Sequence, residues 1–113
     1  MNEIVIYRGN NKTVNLTITH SGNTGLAYNL LGCIVTMYVK KNINDIDTDA
    51  VISKTGTLVD ASNGIVDFYL VPNDTNDVTE LKDNVVYPVD FEVLTGTGNL
   101  YTALRTSFII IKK

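Results

Sequence analysis

The sequence predicts an all-β domain, and its composition and its turn spacing are the two observations that predict it. The chain contains 13 Val, 11 Ile and 14 Thr among 113 residues. Side chains branched at Cβ are stiff and suit the pleated surface of a sheet. Short alternating segments follow one another, separated by Gly- and Asn-rich turns about every 8–12 residues, which is the spacing of a sandwich or a barrel. We therefore predict roughly eight strands.

The chain is predicted to form a single domain spanning residues 1–113. Its length is near the commonest domain size and allows one independent core. Hydrophobic residues make up 44% of the chain and charged residues 19%, which is the composition of a globular protein. We find no tandem repeat, linker or low-complexity segment.

The first half of the chain contains extended segments ended by Gly or Asn turns. They are Glu3–Tyr7, Thr13–His20, Ala27–Leu31 and Cys33–Lys41, with a flexible turn over Ser21–Gly25. Thr13–His20 alternates apolar and polar residues, as a half-buried strand does. Leu30 is expected to fill the core from the short third segment.

The second half continues the pattern. Its predicted strands are Ala50–Ser53, Thr57–Val59, Ile65–Val71, Val85–Leu94 and Leu100–Ile111. Asn63-Gly64 indicates a hairpin turn. Asp74 is expected to cap a single helical turn. Because proline lacks a backbone donor, Pro88 is expected at a sheet edge or a bulge.

The alternation predicts one core between two sheets. Its expected members are Leu16, Ile18, Val35, Met37, Val66, Phe68, Val89, Phe91, Phe108 and Ile110. In the last strand, one phase is expected throughout, with Leu100, Thr102, Leu104, Thr106, Phe108 and Ile110 on the same face.

Charge and hydropathy exclude several classes of partner. The net charge is −3 and no basic stripe is present, which argues against nucleic acid. The longest apolar run, Phe108–Ile111, has the length of a strand and not of a membrane helix. The N-terminus lacks the features of a signal peptide, so we expect a cytosol-like compartment and no membrane.

The candidate metal site is an acidic loop. Asp45, Asp47 and Asp49 alternate as the first ligands of a calcium loop do. That loop needs Gly at its sixth position and Glu at its twelfth, and these positions hold Ala50 and Gly56. We therefore predict a solvated acidic loop, with no metal and no cofactor.

Few residues could support catalysis. His20 is the only histidine, and its place at a strand end indicates a surface residue. Cys33 is in phase with Val35 and is expected to be a small buried apolar side chain. Gly96-Thr97-Gly98 lies between two strands, so it indicates a hairpin and not a phosphate-binding loop. We predict no catalytic residues and no enzyme.

An aromatic platform for sugars is the remaining site considered. The chain has six Tyr and no Trp. Tyr38 and Tyr69 fall on outward phases and are the best pair for stacking on a glycan, although outward Tyr is also ordinary in strands. A carbohydrate-binding β-sandwich module is therefore the alternative function, with weak glycan contact.

A series of short motifs now suggests a family. In order, they are Arg8-Gly9-Asn10, Leu31-Gly32, Val39-Lys40-Lys41, Ile52–Thr55, Asp60–Phe68, Pro72–Thr75, Val86–Val93 and Phe108–Ile110. This order resembles the immunoglobulin-like domain of tailed-bacteriophage structural proteins, such as the N-terminal domain of baseplate upper proteins. In that family the first motif is usually Arg-Gly-Asp, so Asn10 is a departure, as is Pro88 in the late strand.

The resemblance implies an immunoglobulin-like antiparallel β-sandwich of about seven to nine strands. It further implies a non-enzymatic virion protein, made in the host bacterial cytoplasm. Family members continue into a receptor-binding or stalk region. A single domain therefore suggests a capsid auxiliary or decoration protein or a fibre anchor, or else a tail or baseplate component. The family has no catalytic residues to transfer.

Assembly is expected to involve the sheet edges or the outer loops. Glu3–Tyr7 and Leu100–Ile111 could each lie at an edge and extend a neighbour's sheet. The loops over Asn42–Thr48 and Pro72–Asp83 are the other candidate contacts. The expected partners are other virion proteins, capsid, fibre or tail, bound in many copies in a symmetric assembly.

Overall fold

A computed structural model describes residues 3–20 and 23–113 as a sandwich of two β-sheets with an additional small hairpin. The strands are β1 Ile4–Tyr7, β2 Lys12–Thr17, β3 Thr19–His20, β4 Asn23–Ala27, β5 Ile34–Val39, β6 Ile52–Thr55, β7 Thr57–Asp60, β8 Ile65–Leu70, β9 Val86–Leu94 and β10 Leu100–Ile111. The helix α1 spans Pro72–Asn76, and two short 3₁₀ turns cover Asp47–Asp49 and Ala61–Asn63. Ser21 and Gly22 of the predicted flexible turn lie outside the described residues, and β4 begins within that turn.

The strand order is that of an immunoglobulin-like sandwich. One sheet runs β1-β10-β9-β5-β6 and the other runs β2-β8-β7. β2 and β5 lie in opposite sheets, as strands B and C do in the immunoglobulin Greek key, and the first strand lies in the same sheet as the last. The predicted fold class is confirmed.

Two details differ from the prediction. The pairing of β1 with β10 is parallel, so the sandwich is not wholly antiparallel. The described chain also forms ten strand segments, because the ladder of β2 ends before Ile18 and a short β3–β4 hairpin follows. Ile18 there donates to Gly64 O at 2.8 Å and accepts from Tyr28 N at 2.9 Å.

The ten predicted core residues are all buried between the two sheets, so the predicted phases of these residues are confirmed. Phe68 and Phe91 face each other across the core with ring centroids 5.2 Å apart. Leu30 is completely buried, as expected. Ile4 and Ile6 of β1 join the same cluster.

The single phase predicted for the last strand is wrong. A bulge lies between Thr102, which pairs with Glu92, and Leu104, which pairs with Phe91. An extra residue reverses the side-chain alternation because that alternation has a period of two. Leu100 and Thr102 therefore face the outer side of the sheet, whereas Leu104 packs against the core.

Pro88 does not lie at an edge or at that bulge, since β9 is flanked by β10 and β5. Its carbonyl accepts from Lys40 N at 3.0 Å, so its ring nitrogen faces the same neighbour. β5 ends at Val39, one residue before this point. The missing donor therefore falls where the β5 ladder stops, which explains how a central strand tolerates proline.

The corner before β9 is fixed by a tyrosine. The Tyr87 hydroxyl accepts a hydrogen bond from the backbone N–H of Lys82 at 2.8 Å. Tyr87 is buried near the start of β9, and Leu81 beside this bond is also buried. The same arrangement, called a tyrosine corner, is a hallmark of immunoglobulin-like domains.

No helix in the described part of the chain is long and apolar enough to cross a membrane.

Candidate functional site: the outer face and edge of the five-stranded sheet

The outer face of the five-stranded sheet contains a buried ion network. The ammonium nitrogen of Lys40 lies 2.8 Å from Asp47 Oδ1 and 3.0 Å from Asp90 Oδ2. Arg105 contacts the same Asp90 carboxylate with two nitrogens, Nε to Oδ1 and Nη2 to Oδ2 at 3.2 Å. The network thus joins the end of β5, the loop after it, β9 and β10.

Burial of the network follows from strand order. Asp90 occupies an outward position of β9, but β9 is central and its neighbours on both sides cover it. Burial alone would raise the pKa of the Asp90 carboxyl, yet hydrogen bonds from Arg105 and Lys40 and their charges hold it below its ordinary value. Burial likewise would lower the pKa of Lys40, but its bonds to Asp47 and Asp90 hold it above its ordinary value. The contacts of Asp90 and Lys40 therefore favour the charged form of both side chains.

An acidic group with metal-ligand spacing forms around this network. Carboxylate oxygens of Asp47, Asp90 and Glu92 lie within 4.8 Å of one another. The Lys40 ammonium already contacts two of these carboxylates, and Thr102 Oγ1 donates to Glu92 Oε1 at 2.9 Å. A cation would have to displace Lys40. The contacts of Asp47 hold the loop after β5 on the sheet. That the loop binds no metal stays a prediction.

Two aspartates of the predicted acidic loop have different partners. Asp47 reaches the network, whereas Asp45 Oδ2 accepts from Asn42 N at 3.1 Å within its own loop. Sequence analysis did not identify Lys40 or Glu92. The sequence did contain a signal for them. Asp90 and Glu92 stand on outward positions of the strand that alternates best, and Lys40 stands at the end of another strand.

A second polar cluster is built on Arg8. Its guanidinium donates to the carbonyls of Thr75, Val78 at 3.1 Å and Leu81 at 2.8 Å, and pairs with Asp83 at 2.6 Å. α1 and the segment after it thus supply these acceptors.

Gly9 completes this cluster. Gly9 N donates to Thr75 Oγ1 at 2.7 Å, and Gly9 has a φ of +83°. The Arg-Gly motif therefore docks the β1–β2 turn on the segment before β9.

Asp74 caps the N-terminus of α1. Its Oδ2 accepts from Val71 N at 2.7 Å, so the predicted cap of a single helical turn is confirmed. Asp74 is the third residue of the helix, and its carboxylate accepts this bond from the residue that precedes the helix.

The other predicted site residues lie apart from one another. His20 is exposed, and its ring centroid lies 5.0 Å from that of Tyr28 with the two planes tilted by 42°. Cys33 is half-buried against the core, and not fully buried as expected, because it precedes β5. Tyr38 and Tyr69 lie on the outer faces of opposite sheets, because they alternate with core residues of β5 and β8. They cannot form one stacking platform.

One edge of the five-stranded sheet is formed by β1 and the other by β6. No described strand pairs with the other side of β1, and its partner is the end of β10. Val5, Ile109 and Val86 are in register across β1, β10 and β9, and Val5 and Val86 are more than 40% exposed. Tyr7 adds a further exposed ring on the same face. Both terminal strands thus lie at this edge, and we name these four residues the edge patch.

A shallow depression adjoins the edge patch. It has a volume of about 400 Å³ and is lined by Ile43, Val86, Pro88 and Arg105 among others. The depression is open to solvent and connects the apolar edge patch with the outer side of the ion network. The outer face therefore offers a graded surface, apolar at the edge and charged toward the centre of the sheet.

Comparison of the chain with models of known protein families, and with curated proteins, gives no match.

Proposed function

We propose that this domain is a non-enzymatic structural protein of a bacteriophage virion. It would be a capsid auxiliary or decoration protein or a fibre anchor, or else a tail or baseplate component. The observation that carries the proposal is the open edge of the five-stranded sheet. There the two terminal strands lie side by side and present the edge patch to a partner.

The motifs behind the phage resemblance act as scaffold elements, which supports the proposal. Arg8-Gly9 docks the β1–β2 turn on α1 and the segment after it. Val86–Val93 forms most of the central strand and contains Tyr87 of the corner. The residues that carry the resemblance therefore hold the fold together. A protein built on such a framework acts through its surface and not through these residues.

The open edge suits attachment to a repeating lattice. β1 is four residues long, and its free backbone groups can accept one further strand by β-augmentation. Apolar side chains beside that strand would add buried area. Because a virion presents the same site many times, weak individual contacts sum through avidity.

The test is mass spectrometry and imaging of particles purified from the phage that encodes the chain. We expect the protein at a fixed ratio to the major coat or tail protein. A phage supplied only with the Val5→Lys variant should lose the protein from its particles. Tyr69→Lys is the matched control, because Tyr69 is similarly exposed on the opposite sheet, and it should be retained.

Absence of the wild-type protein from purified particles would contradict the proposal. Measurable binding of glycans by a monomeric protein would then favour a carbohydrate-binding module. Equal incorporation of the Val5→Lys variant and the wild type would exclude the β1 edge as the contact.

A further inference from the structure

The charges of this domain are concentrated away from one end of the sandwich. Residues 13–39, 61–66 and 93–104 contain no Asp, Glu, Lys or Arg. These stretches supply the described part of the end opposite Arg8 and the ion network, including strands β3 and β4, the β7–β8 turn and the β9–β10 turn. We name this region the uncharged end.

The described loops of the uncharged end contact one another. Leu30 N donates to Ala61 O at 2.8 Å, and Ile18 N donates to Gly64 O at 2.8 Å. The β9–β10 turn approaches the same region, because a Cβ on Gly96 would lie 3.4 Å from Gly32 O. Asp60 borders the region, but its carboxylate accepts from Ser62 and Asn63. The surface is therefore continuous and nearly neutral.

Apolar side chains are exposed on this surface. Ile34, Leu94 and Leu100 are in register across β5, β9 and β10 on the outer face. All three are exposed, and Leu31 beside them is 66% exposed. The bulge in β10 places Leu100 on this face, since without it Leu100 would share the inward phase of Phe108. Exposed apolar patches of this kind mark interaction sites.

An open backbone edge borders the same patch. β1 pairs with β10 only from Phe108 onward, so no described strand pairs with the outer edge of Leu100–Thr102. This edge has neither the charged residue nor the proline that proteins use to prevent edge association. Apolar surface and free backbone donors thus occur together.

We propose that the uncharged end binds the uncharged end of a second copy of this chain. The open edge favours this occupant, because an unprotected edge strand can pair with the same edge of a second copy, and the charge distribution favours this end. Each copy has a net charge of −3, so two copies repel over most of their surfaces. At the uncharged end two copies meet without like charges, and an apolar patch is complementary to itself in a two-fold interface.

The experiment is sedimentation velocity of the purified chain over a range of concentrations, up to about 1 mM, the range of a weak interaction. We expect a monomer–dimer equilibrium that higher salt does not weaken, because no ion pairs cross the interface. Leu100→Lys introduces like charges across the two-fold axis and should raise the dimer Kd by about tenfold or more. Tyr69→Lys is the matched control, since Tyr69 is 48% and Leu100 58% exposed and Tyr69 lies on the opposite sheet.

A second measurement uses the wild type alone. Amide hydrogen exchange of residues 94–102 should be slower at high than at low protein concentration.

If Leu100→Lys fails to fold, Leu31→Lys replaces it, because Leu31 is in a loop. A wild type that stays monomeric throughout, or a dimer broken by Tyr69→Lys and not by Leu100→Lys, would overturn the proposal. So would a monomer that binds neutral phosphatidylcholine vesicles through residues 94–102. Because the purified chain is measured, failure here leaves the particle experiment unaffected.

Discussion

The ammonium nitrogen of Lys40 lies 3.0 Å from Oδ2 of Asp90, and both side chains are at most 5% exposed. The pair links the end of β5 to the middle of β9, and Asp47 holds the following loop to it. Buried charges are tolerated only where they are paired and hydrogen-bonded. The five predictions that follow begin with this pair.

Lys40→Met should destabilise the domain by about 3 kcal/mol, because it leaves the buried Asp90 carboxylate with Arg105 alone. Lys41→Met is the matched control, since Lys41 is the adjacent lysine and is exposed. We expect the control to change the unfolding free energy by less than about 0.5 kcal/mol. Urea denaturation measures both values. If the two substitutions lowered the unfolding free energy equally, the buried pair would contribute no more to stability than an exposed lysine does.

The stability conferred by Asp90 should depend on pH in the acid range. Its folded-state pKa is lowered from 3.8, so its contribution is present above that value and is lost as pH falls through the folded-state pKa. Asp90→Asn should therefore be less stable than the wild type at neutral pH, and the difference should shrink below pH 3.8. Urea titrations at several pH values measure it. A constant difference down to the acid limit would contradict the assignment.

Tyr87→Phe should cost about 1 kcal/mol of unfolding free energy, because the Lys82 N–H loses its acceptor in a partly buried hydrogen bond. The control is Tyr101→Phe, which removes a hydroxyl from an exposed ring. We expect thermal unfolding of the control to match that of the wild type. If both variants melt like the wild type, the tyrosine corner contributes nothing measurable.

Gly9→Ala and Gly98→Ala separate backbone strain from steric conflict. Both glycines have positive φ, +83° and +91°, so each substitution should cost about 1–2 kcal/mol from strain. A Cβ on Gly9 would also lie 2.8 Å from Asn76 Oδ1, whereas Gly98 has no atom within 4 Å. Gly9→Ala should therefore be the more destabilising by at least about 1 kcal/mol. Chemical denaturation of both variants tests the order, and the reverse order would be inconsistent with docking of the turn.

Added calcium should leave the melting temperature unchanged. The carboxylates closest to a ligand set, Asp47 and Asp90, are already bonded to Lys40 at 2.8 and 3.0 Å. A ligand that binds only the folded state raises its stability in proportion to the logarithm of its concentration. Calorimetry with increasing calcium measures the effect. A saturable rise that Asp47→Asn abolishes would establish a site.

The extent to which sequence predicted this structure differs between the core and the polar sites. Val66 and Phe68 were placed correctly because a strand with one buried face must alternate with a period of two. Lys40 and Asp90 are 50 positions apart and meet only when β5 pairs with β9. Pairing partners over such distances are not encoded in local periodicity, so the network was not predicted.

The sequence alone thus determined the all-β class, the ten predicted core residues and the turns at Gly64 and Gly98, because each depends on neighbours a few residues away. Tertiary structure decided which strands became central and which became edges. It made β9 central, which buried Asp90, and it placed β1 beside β10 in parallel. The bulge after Thr102 turned Leu100 outward. Each of these outcomes depends on contacts between distant segments, where burial of the whole sheet outweighs the preference of any single strand.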